Sequence, residues 1–264
     1  MTPLRCLGVL LCYNDGDLLA ESISYLLDQE HDLIVWDHGS TDETPEVIER
    51  FRGECRETRR VPREFDFYEL YPAMSRHLMA SYVDEYDWIS WPDQDEFLEG
   101  PARDRPYHAY LEEAHASGVN WIQFHNFNYW WTEEDDPDVT DPTKRVRHYS
   151  LRNDCPPRIR AWRAAITNIR IFNHNPLEGE PASRRFNLRH YPMRSPAQMR
   201  RRVLSDRAAL RRGSMNFHYE NMAARPEALE IPATALHYDD GFSELDPEPV
   251  FDWSQIYGSA EAPG

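Results

Sequence analysis

Residues 4–13 (LRCLGVLLCY) form an unbroken apolar run of strand length, the pattern of a strand covered on both faces. The spacing predicts a helix directly after it, because Asn14 or Asp15 can supply a cap and Leu19, Ile23, Leu26 and Leu27 share one face. Residues 32–37 (DLIVWD) read as a second buried strand. The turn residues HGSTDETP follow, with Ser40 to Glu43 at capping-box spacing and Thr44-Pro45 as a rival helix start, and then a helix over 46–51. A third strand is expected near 60–64 and a helix over about 71–86. The short apolar run Trp88-Ile89-Ser90-Trp91 ends in Asp93-Gln94-Asp95-Glu96. This alternation of strand and helix predicts an α/β fold with a mostly parallel central sheet flanked by helices. In such a sheet ligands bind beyond the carboxyl ends of the strands, where Asn14-Asp15, Asp37 and Asp93–Asp95 all fall.

The second half has a different rhythm. A helix over 107–116 and a strand over 119–130 lead into an acidic, proline-containing loop at 133–142. Short strands near 159–162, 169–172 and 186–190 read as antiparallel or mixed. Ser195-Pro196 opens an Arg-rich helix reaching about residue 212. The remainder is polar, studded with proline and anchored by Tyr238, Phe251, Trp253 and Tyr257. The organisation expected is one domain over 1–212, with a first half at 1–98 and a second at 99–212, and a C-terminal extension over 213–264 packed on it. That extension reads either as a structural strap or as a cover for a bound ligand, with His237-Tyr238-Asp239-Asp240 and Trp253 as its contacts.

Composition narrows the class. At 264 residues with 41% hydrophobic and 12% aromatic positions, the chain can bury a sizeable core and is not a disordered protein. Four scattered cysteines, with no CxxC pair, argue against both a disulfide framework and a structural zinc. No run approaches the length of a membrane span and no leader pattern opens the chain, so a cytoplasmic location is expected, with peripheral membrane contact left open. A net charge of −17 argues against a nucleic-acid partner, whose affinity comes mostly from phosphate neutralisation. Against that background, residues 184–212 hold ten arginines and one aspartate, a local charge of +9. The segment is either a solvated helix face or a holder of an anionic ligand.

Three constellations carry chemistry. Asp93 and Asp95 are two residues apart at a strand end, where alternation would point both carboxylates one way to hold a divalent cation; the same spacing also occurs as a simple turn. Asp37 ends an apolar strand and is placed to accept hydrogen bonds from the N–H edge of a nucleobase, although the HGSTDET segment after it also reads as a plain strand-to-helix turn. His190 lies beside Arg194, whose guanidinium geometry matches phosphate; the alternative is a hydrogen-bonded core histidine.

Taken together, YND at 13–15, WDHGSTDET at 36–44, DWISWPDQDEF at 87–97 and RHYPMRS at 189–195 resemble the family 2 glycosyltransferases of the GT-A fold. The match is to the bacterial branch marked by D-x-DEF and HYP-x-RS, and it covers residues 4–212. The resemblance implies a nucleotide-sugar donor held by the first half, with Tyr13, Asp15, Asp37, Arg76, Asp93 and Arg194 as donor-binding residues. Asp95 and His190 would hold Mn²⁺ or Mg²⁺. The acceptor, a carbohydrate, lipid-linked or small-molecule hydroxyl compound, would meet the second half. Transfer would invert the anomeric centre, with His174 or Glu180 as the base; Glu178 and the acidic loop at 133–136 also qualify by residue type. The helix after HYP-x-RS commonly carries a lysine, where this chain has Arg200-Arg201-Arg202 and a single lysine, Lys144. A catalytically silent sugar-nucleotide or glycan binder of the same fold is one alternative. A nucleotidyltransferase is the other, and it would call for a Gly-rich phosphate loop that the chain lacks.

Overall fold

The computed structural model describes residues 3–154, 156–166, 169–170, 175–176, 179–206 and 217–258. In chain order the elements are β1 (Cys6–Cys12), α1 (Gly16–Asp28), β2 (His31–Asp37), α2 (Thr44–Phe51), β3 (Glu57–Arg60), α3 (Phe67–Ser81), β4 (Trp88–Ser90), β5 (Glu96–Glu99), α4 (Tyr107–Ala116) and β6 (Trp121–Trp130). They continue with α5 (Pro142–Arg145), β7 (His148–Leu151), β8 (Arg158–Arg163), β9 (Ile169–Arg170), β10 (Asn175–Pro176), β11 (Phe186–Met193), α6 (Pro196–Arg201), α7 (Phe217–Ala224), β12 (His237–Tyr238) and α8 (Ser254–Tyr257).

Two compact units divide the chain, Met1–His125 with Pro157–Leu188, and Asn126–Pro156 with Arg189–Gly264. In the first, β3, β2, β1 and β4 pair side by side in parallel, with Cys12 opposite Asp37 and Gly8 opposite both Leu33 and Ser90. This is the parallel portion of the predicted α/β sheet. All seven residues of β1 are buried, as an apolar run between two helical layers requires. On one side Leu10, Leu19, Ile23, Leu26 and Val35 share a cluster with α2; another cluster joins Leu7, Val9, Ile34 and Ile89 to Leu70, Met74 and Leu78 of α3. Antiparallel strands extend the sheet, β8 against β4 and the start of β6 against β8.

Local chemistry explains two shifts from the sequence expectation. Helix α2 starts at the Thr44-Pro45 alternative, where Asp42 Oδ1 accepts from the Thr44 N–H at 3.0 Å and the proline needs no partner. Strand β3 lies earlier than expected, at ETRR, because its pairing is supported by polar groups rather than apolar burial. Glu57 accepts from the Trp36 indole at 2.9 Å, and the Arg59 guanidinium sits 4.4 Å from the Trp36 ring centre.

One buried histidine links this fold to pH. His31 opens β2 with its ring between the Gln29 carbonyl (2.8 Å) and Ser90 Oγ (2.9 Å), stacked on Tyr107. Burial lowers its pKa from 6.5 to about 4. Below 6.5 the unfolded chain therefore takes up a proton that the folded one refuses, so the contribution is intact above 6.5 and is lost as pH falls toward 4. The expected loss is ~3 kcal/mol. Urea unfolding across that range should show a steeper pH dependence for the wild type than for His31→Gln; equal slopes would remove His31 from the explanation.

In the second unit the end of β6 pairs with β7, and β7 with β12, all antiparallel. Its core joins Trp130, Met193 and Met199 to Met222, Leu229, Trp253 and Ile256. Trp253 is fully buried, with its ring centre 5.4 Å from that of Trp130. The Trp130 indole donates to the Leu229 carbonyl at 2.8 Å. This end of the chain is thus part of a core, and Trp253 is not a residue that can swing across a ligand. Helix α6 is capped by Ser195, which accepts from the Gln198 N–H, and passes into a wider π-helical turn at Arg202–Asp206. The rest of the predicted Arg-rich helix, residues 207–212, lies outside the described residues. No described helix is long and apolar enough to cross a membrane.

Candidate active site

Because β1, β2 and β4 are parallel, their carboxyl ends share one edge of the first unit's sheet. Beyond β1 the chain turns through Asn14, which adopts a left-handed φ of 53° that asparagine tolerates. Its backbone N–H donates to Ser40 Oγ at 3.0 Å, and its Oδ1 accepts from the Thr41 N–H at 2.8 Å. These bonds tie the loop after β1 to the loop after β2. Gly16 lets the two helix starts approach: a Cβ there would lie 2.7 Å from the Thr44 backbone nitrogen. Asp15 occupies the cap position of α1 without capping it; its carboxylate is buried and accepts instead from the Gln94 side-chain amide. The third loop is thereby joined to the first. Ser22 adds a hydrogen bond of 2.5 Å to the Gln94 carbonyl.

Asp37 is 2% exposed. Its Oδ1 accepts from the Ser40 N–H at 2.9 Å, which is the turn role expected of it. Its Oδ2 makes no hydrogen bond and faces Arg60 Nε at 3.6 Å, an arginine whose side chain is 58% exposed. Tyr13 follows Cys12, which lies opposite Asp37, and has the Arg63 guanidinium 4.4 Å from its ring centre and the His38 ring at 6.1 Å. Arg76 is exposed on α3.

The acidic motif differs in shape from the expectation. Residues 91–95 form a turn between β4 and β5 rather than the end of an alternating strand, so strand alternation does not set the directions of Asp93 and Asp95. The turn is closed by two bonds, Asp93 N–H to Glu96 Oε2 at 2.9 Å and Glu96 N–H to the Asp93 carbonyl at 3.0 Å. Asp93 accepts from Arg160 Nη2 at 2.7 Å and from the Tyr71 hydroxyl at 3.2 Å, and pairs with Arg158 at 3.5 Å. Glu96, whose side chain is entirely buried, pairs with Arg160 at 2.6 Å and with Arg158. Burial works against the Arg160 charge, yet Asp93 and Glu96 hold its pKa well above the ordinary guanidinium range. Sequence reasoning missed Arg158 and Arg160. The only signal available was their alternation in RIRAW, which places both on one face of a strand.

Asp95 is 1% exposed at the same strand edge. Among the described residues no three His, Cys, Asp or Glu side chains converge closely enough to enclose a cation by themselves. A hard carboxylate donor at Asp95 nevertheless suits Mg²⁺ or Mn²⁺, since such ions are commonly held by one or two carboxylates with substrate phosphates completing the shell.

His190 and Arg194 belong to the second unit. His190 is 7% exposed and its Nδ1 meets Asn128 Oδ1 at 2.8 Å, while the Asn128 amide donates to the Tyr257 hydroxyl at 3.2 Å. With Asn128 Oδ1 as the acceptor, Nδ1 is the donor in that pair. Arg194 is fully buried; its guanidinium donates to the Tyr191 carbonyl at 2.9 Å and its N–H to Gln198 Oε1 at 3.1 Å. Of the two candidate bases, Glu180 is exposed in the first unit, its backbone exchanging hydrogen bonds of 2.9 Å with Asn120. His174 lies outside the described residues, as does Glu178.

Acidic side chains gather at the carboxyl edge of a parallel sheet, the edge at which α/β proteins commonly receive their ligands. The chain belongs to glycosyl transferase family 2, whose model matches residues 9–206. It is therefore a glycosyltransferase of GT-A fold, in a family that supports a nucleotide-sugar donor. No curated protein matches it. Among solved structures, residues 1–349 of S. aureus TarS in complex with UDP share 12% identity, with 86% of this chain and 75% of that one covered and a TM-score of 0.42. A mycobacterial protein shares 24% identity over 47% of this chain and 41% of its own, with a TM-score of 0.30.

Proposed function

We propose that this enzyme moves a sugar from a nucleotide diphosphate donor to an acceptor hydroxyl with inversion, using Mn²⁺ or Mg²⁺ held at Asp95. The observation that carries the reading is the joining of Asp15, Asp37 and the Asp93–Asp95 turn at one sheet edge through the Asn14–Ser40 and Asp15–Gln94 hydrogen bonds. The cation, when bound, offsets the negative charge that develops on the departing diphosphate. Asp93 is held by Arg158 and Arg160, and Asp95 is the carboxylate of this motif that we assign to the cation. His190, in the second unit, is by residue type the further ligand that the resemblance implies. Arg194 holds the backbone beside His190, a more modest role than contact with the diphosphate.

Asp37 and Tyr13 recognise the nucleoside in this reading. The Asp37 Oδ2 is an acceptor that the protein itself leaves without a hydrogen bond, and a ligand N–H reaches it once the exposed Arg60 side chain moves toward solvent. The acceptor proton passes to a base in the 174–180 segment, with His174 and Glu180 as the two choices. In-line attack then needs no covalent enzyme intermediate.

Incubation with UDP-, GDP- and dTDP-sugars, with Mn²⁺ or with EDTA, tests the whole reading through donor hydrolysis, transfer and thermal stabilisation. Stabilisation by one nucleoside diphosphate and turnover that EDTA abolishes are expected. Absence of binding by all three, or full turnover in EDTA, would overturn it. Asp37→Ala should weaken nucleoside diphosphate binding about tenfold or more, the loss of a hydrogen bond to a charged group, without changing metal dependence. Unchanged affinity would reduce Asp37 to the cap of its turn.

A further inference from the structure

The second unit carries a cleft of its own, about 530 Å³, walled by residues of the 134–148 segment and by Tyr238 of β12. This volume is within the range of small-molecule sites. Its lining is unlike the strand-end site. Three carboxylates, Glu134, Asp135 and Asp136, are balanced by Lys144, Arg145 and Arg147, so the lining carries no net charge to draw in a phosphate or any other strong anion. Val139 is the sole aliphatic side chain in the lining, whose other carbon surface includes the Tyr238 ring and the stems of the charged side chains. What this balance suits is a neutral molecule that both donates and accepts many hydrogen bonds.

The polar groups are fixed in place. His148 is buried, with Thr132 Oγ1 at 3.1 Å from Nδ1, and its Nε2 stands 3.5 Å from a Glu134 carboxylate oxygen. Glu134 keeps 63% of its side chain exposed, so it is oriented yet open to a ligand. Arg147 is anchored by a 2.6 Å bond from Nε to the Asp239 carbonyl. Tyr238 pairs across the strands with His148 and contacts that ring edge-on at 5.3 Å, with the Arg147 guanidinium 5.9 Å from its centre. The tyrosine remains 63% exposed. It is a held ring with a bare surface beside fixed carboxylate acceptors and a guanidinium donor.

We propose that this cleft binds a neutral pyranose of the acceptor. Each sugar hydroxyl can donate to Glu134 or Asp136 and accept from Arg147, while the C–H face of the ring lies on Tyr238. The proposal deepens, and rests on, the reading of the enzyme as a transferase with a carbohydrate acceptor, but the binding itself needs no donor and no turnover.

The full chain should therefore be titrated without donor against methyl glycosides of glucose, galactose, mannose and N-acetylglucosamine, followed by ligand-observed NMR, with methyl glucuronide as the charged control. At least one neutral glycoside is expected to saturate the wild type. Tyr238→Ala and Glu134→Gln, both at exposed side chains, should each weaken it about tenfold or more while stabilisation by the preferred nucleoside diphosphate stays unchanged. The proposal is overturned if no neutral glycoside binds, if both variants bind as the wild type does, or if the glucuronide binds more tightly than every neutral glycoside. The two readings separate cleanly. Glycoside binding lost in Tyr238→Ala, in a protein that consumes none of the tested donors, would keep the cleft and refute the proposed donor reaction; donor turnover with an acceptor KM unmoved by Tyr238→Ala would keep that reaction and refute the cleft.

Discussion

Arg160→Leu is expected to cost about 3–5 kcal/mol of stability, the range for removing one partner of a buried ion pair. The size follows from what remains. Glu96 has no exposed side-chain surface and Asp93 is about two-thirds covered, so of this arginine pair only Arg158 would remain to offset both carboxylates, beside the neutral Tyr71 hydroxyl and Asp93 N–H. The loss should reach activity as well, because Glu96 and Asp93 close the turn that carries Asp95. Adding Glu96→Gln to Arg160→Leu should recover part of the lost stability by removing the stranded charge, and a double-mutant cycle in urea would read a coupling of roughly 1 kcal/mol or more. A single variant as stable as the wild type would show that Arg158 suffices. Arg160→Lys separates positioning from charge: a lysine restores charge but not the forked geometry that serves Asp93 and Glu96 together. Stability is expected to return further than turnover does.

Asp95→Asn should lower kcat by at least ~10²-fold with the thermal midpoint nearly unchanged, the scale on which enzymes depend on a group that stabilises developing charge. Asparagine keeps the shape of the side chain and removes the formal charge, so the buried site still packs while the proposed cation would lose its anchor. Nucleoside diphosphate affinity should lose its metal-dependent part and keep the part supplied by Asp37 and Tyr13. Titration of UDP, GDP or dTDP with and without Mn²⁺ reads the two parts separately. Turnover retained in the variant would dismiss Asp95 as a ligand.

The strands and helices legible in the sequence were those whose side-chain pattern directly reports burial. Strands β1 and β2 are apolar because both faces are covered, and α4 and β6 lie where their periodicity places them. The acidic residues at the strand ends were legible for the same reason, since a carboxylate closing an apolar run marks where the buried sheet meets its edge. Strand β3 was displaced in the reading because its support comes from Glu57 and Arg59 against Trp36, contacts between strands that leave no apolar signature. Only the tertiary structure decided the fate of Asp93: β8 returns antiparallel to β4 and brings in Arg160, 67 positions later, so that a carboxylate two residues from Asp95 serves the turn. It likewise placed Trp253 in a core with Trp130, and set Tyr238 beside the balanced charges of a separate cleft. The local sequence determines which residues must be buried and where a chain must turn; which distant charge or ring meets them depends on strand pairing, and that is a property of the folded chain.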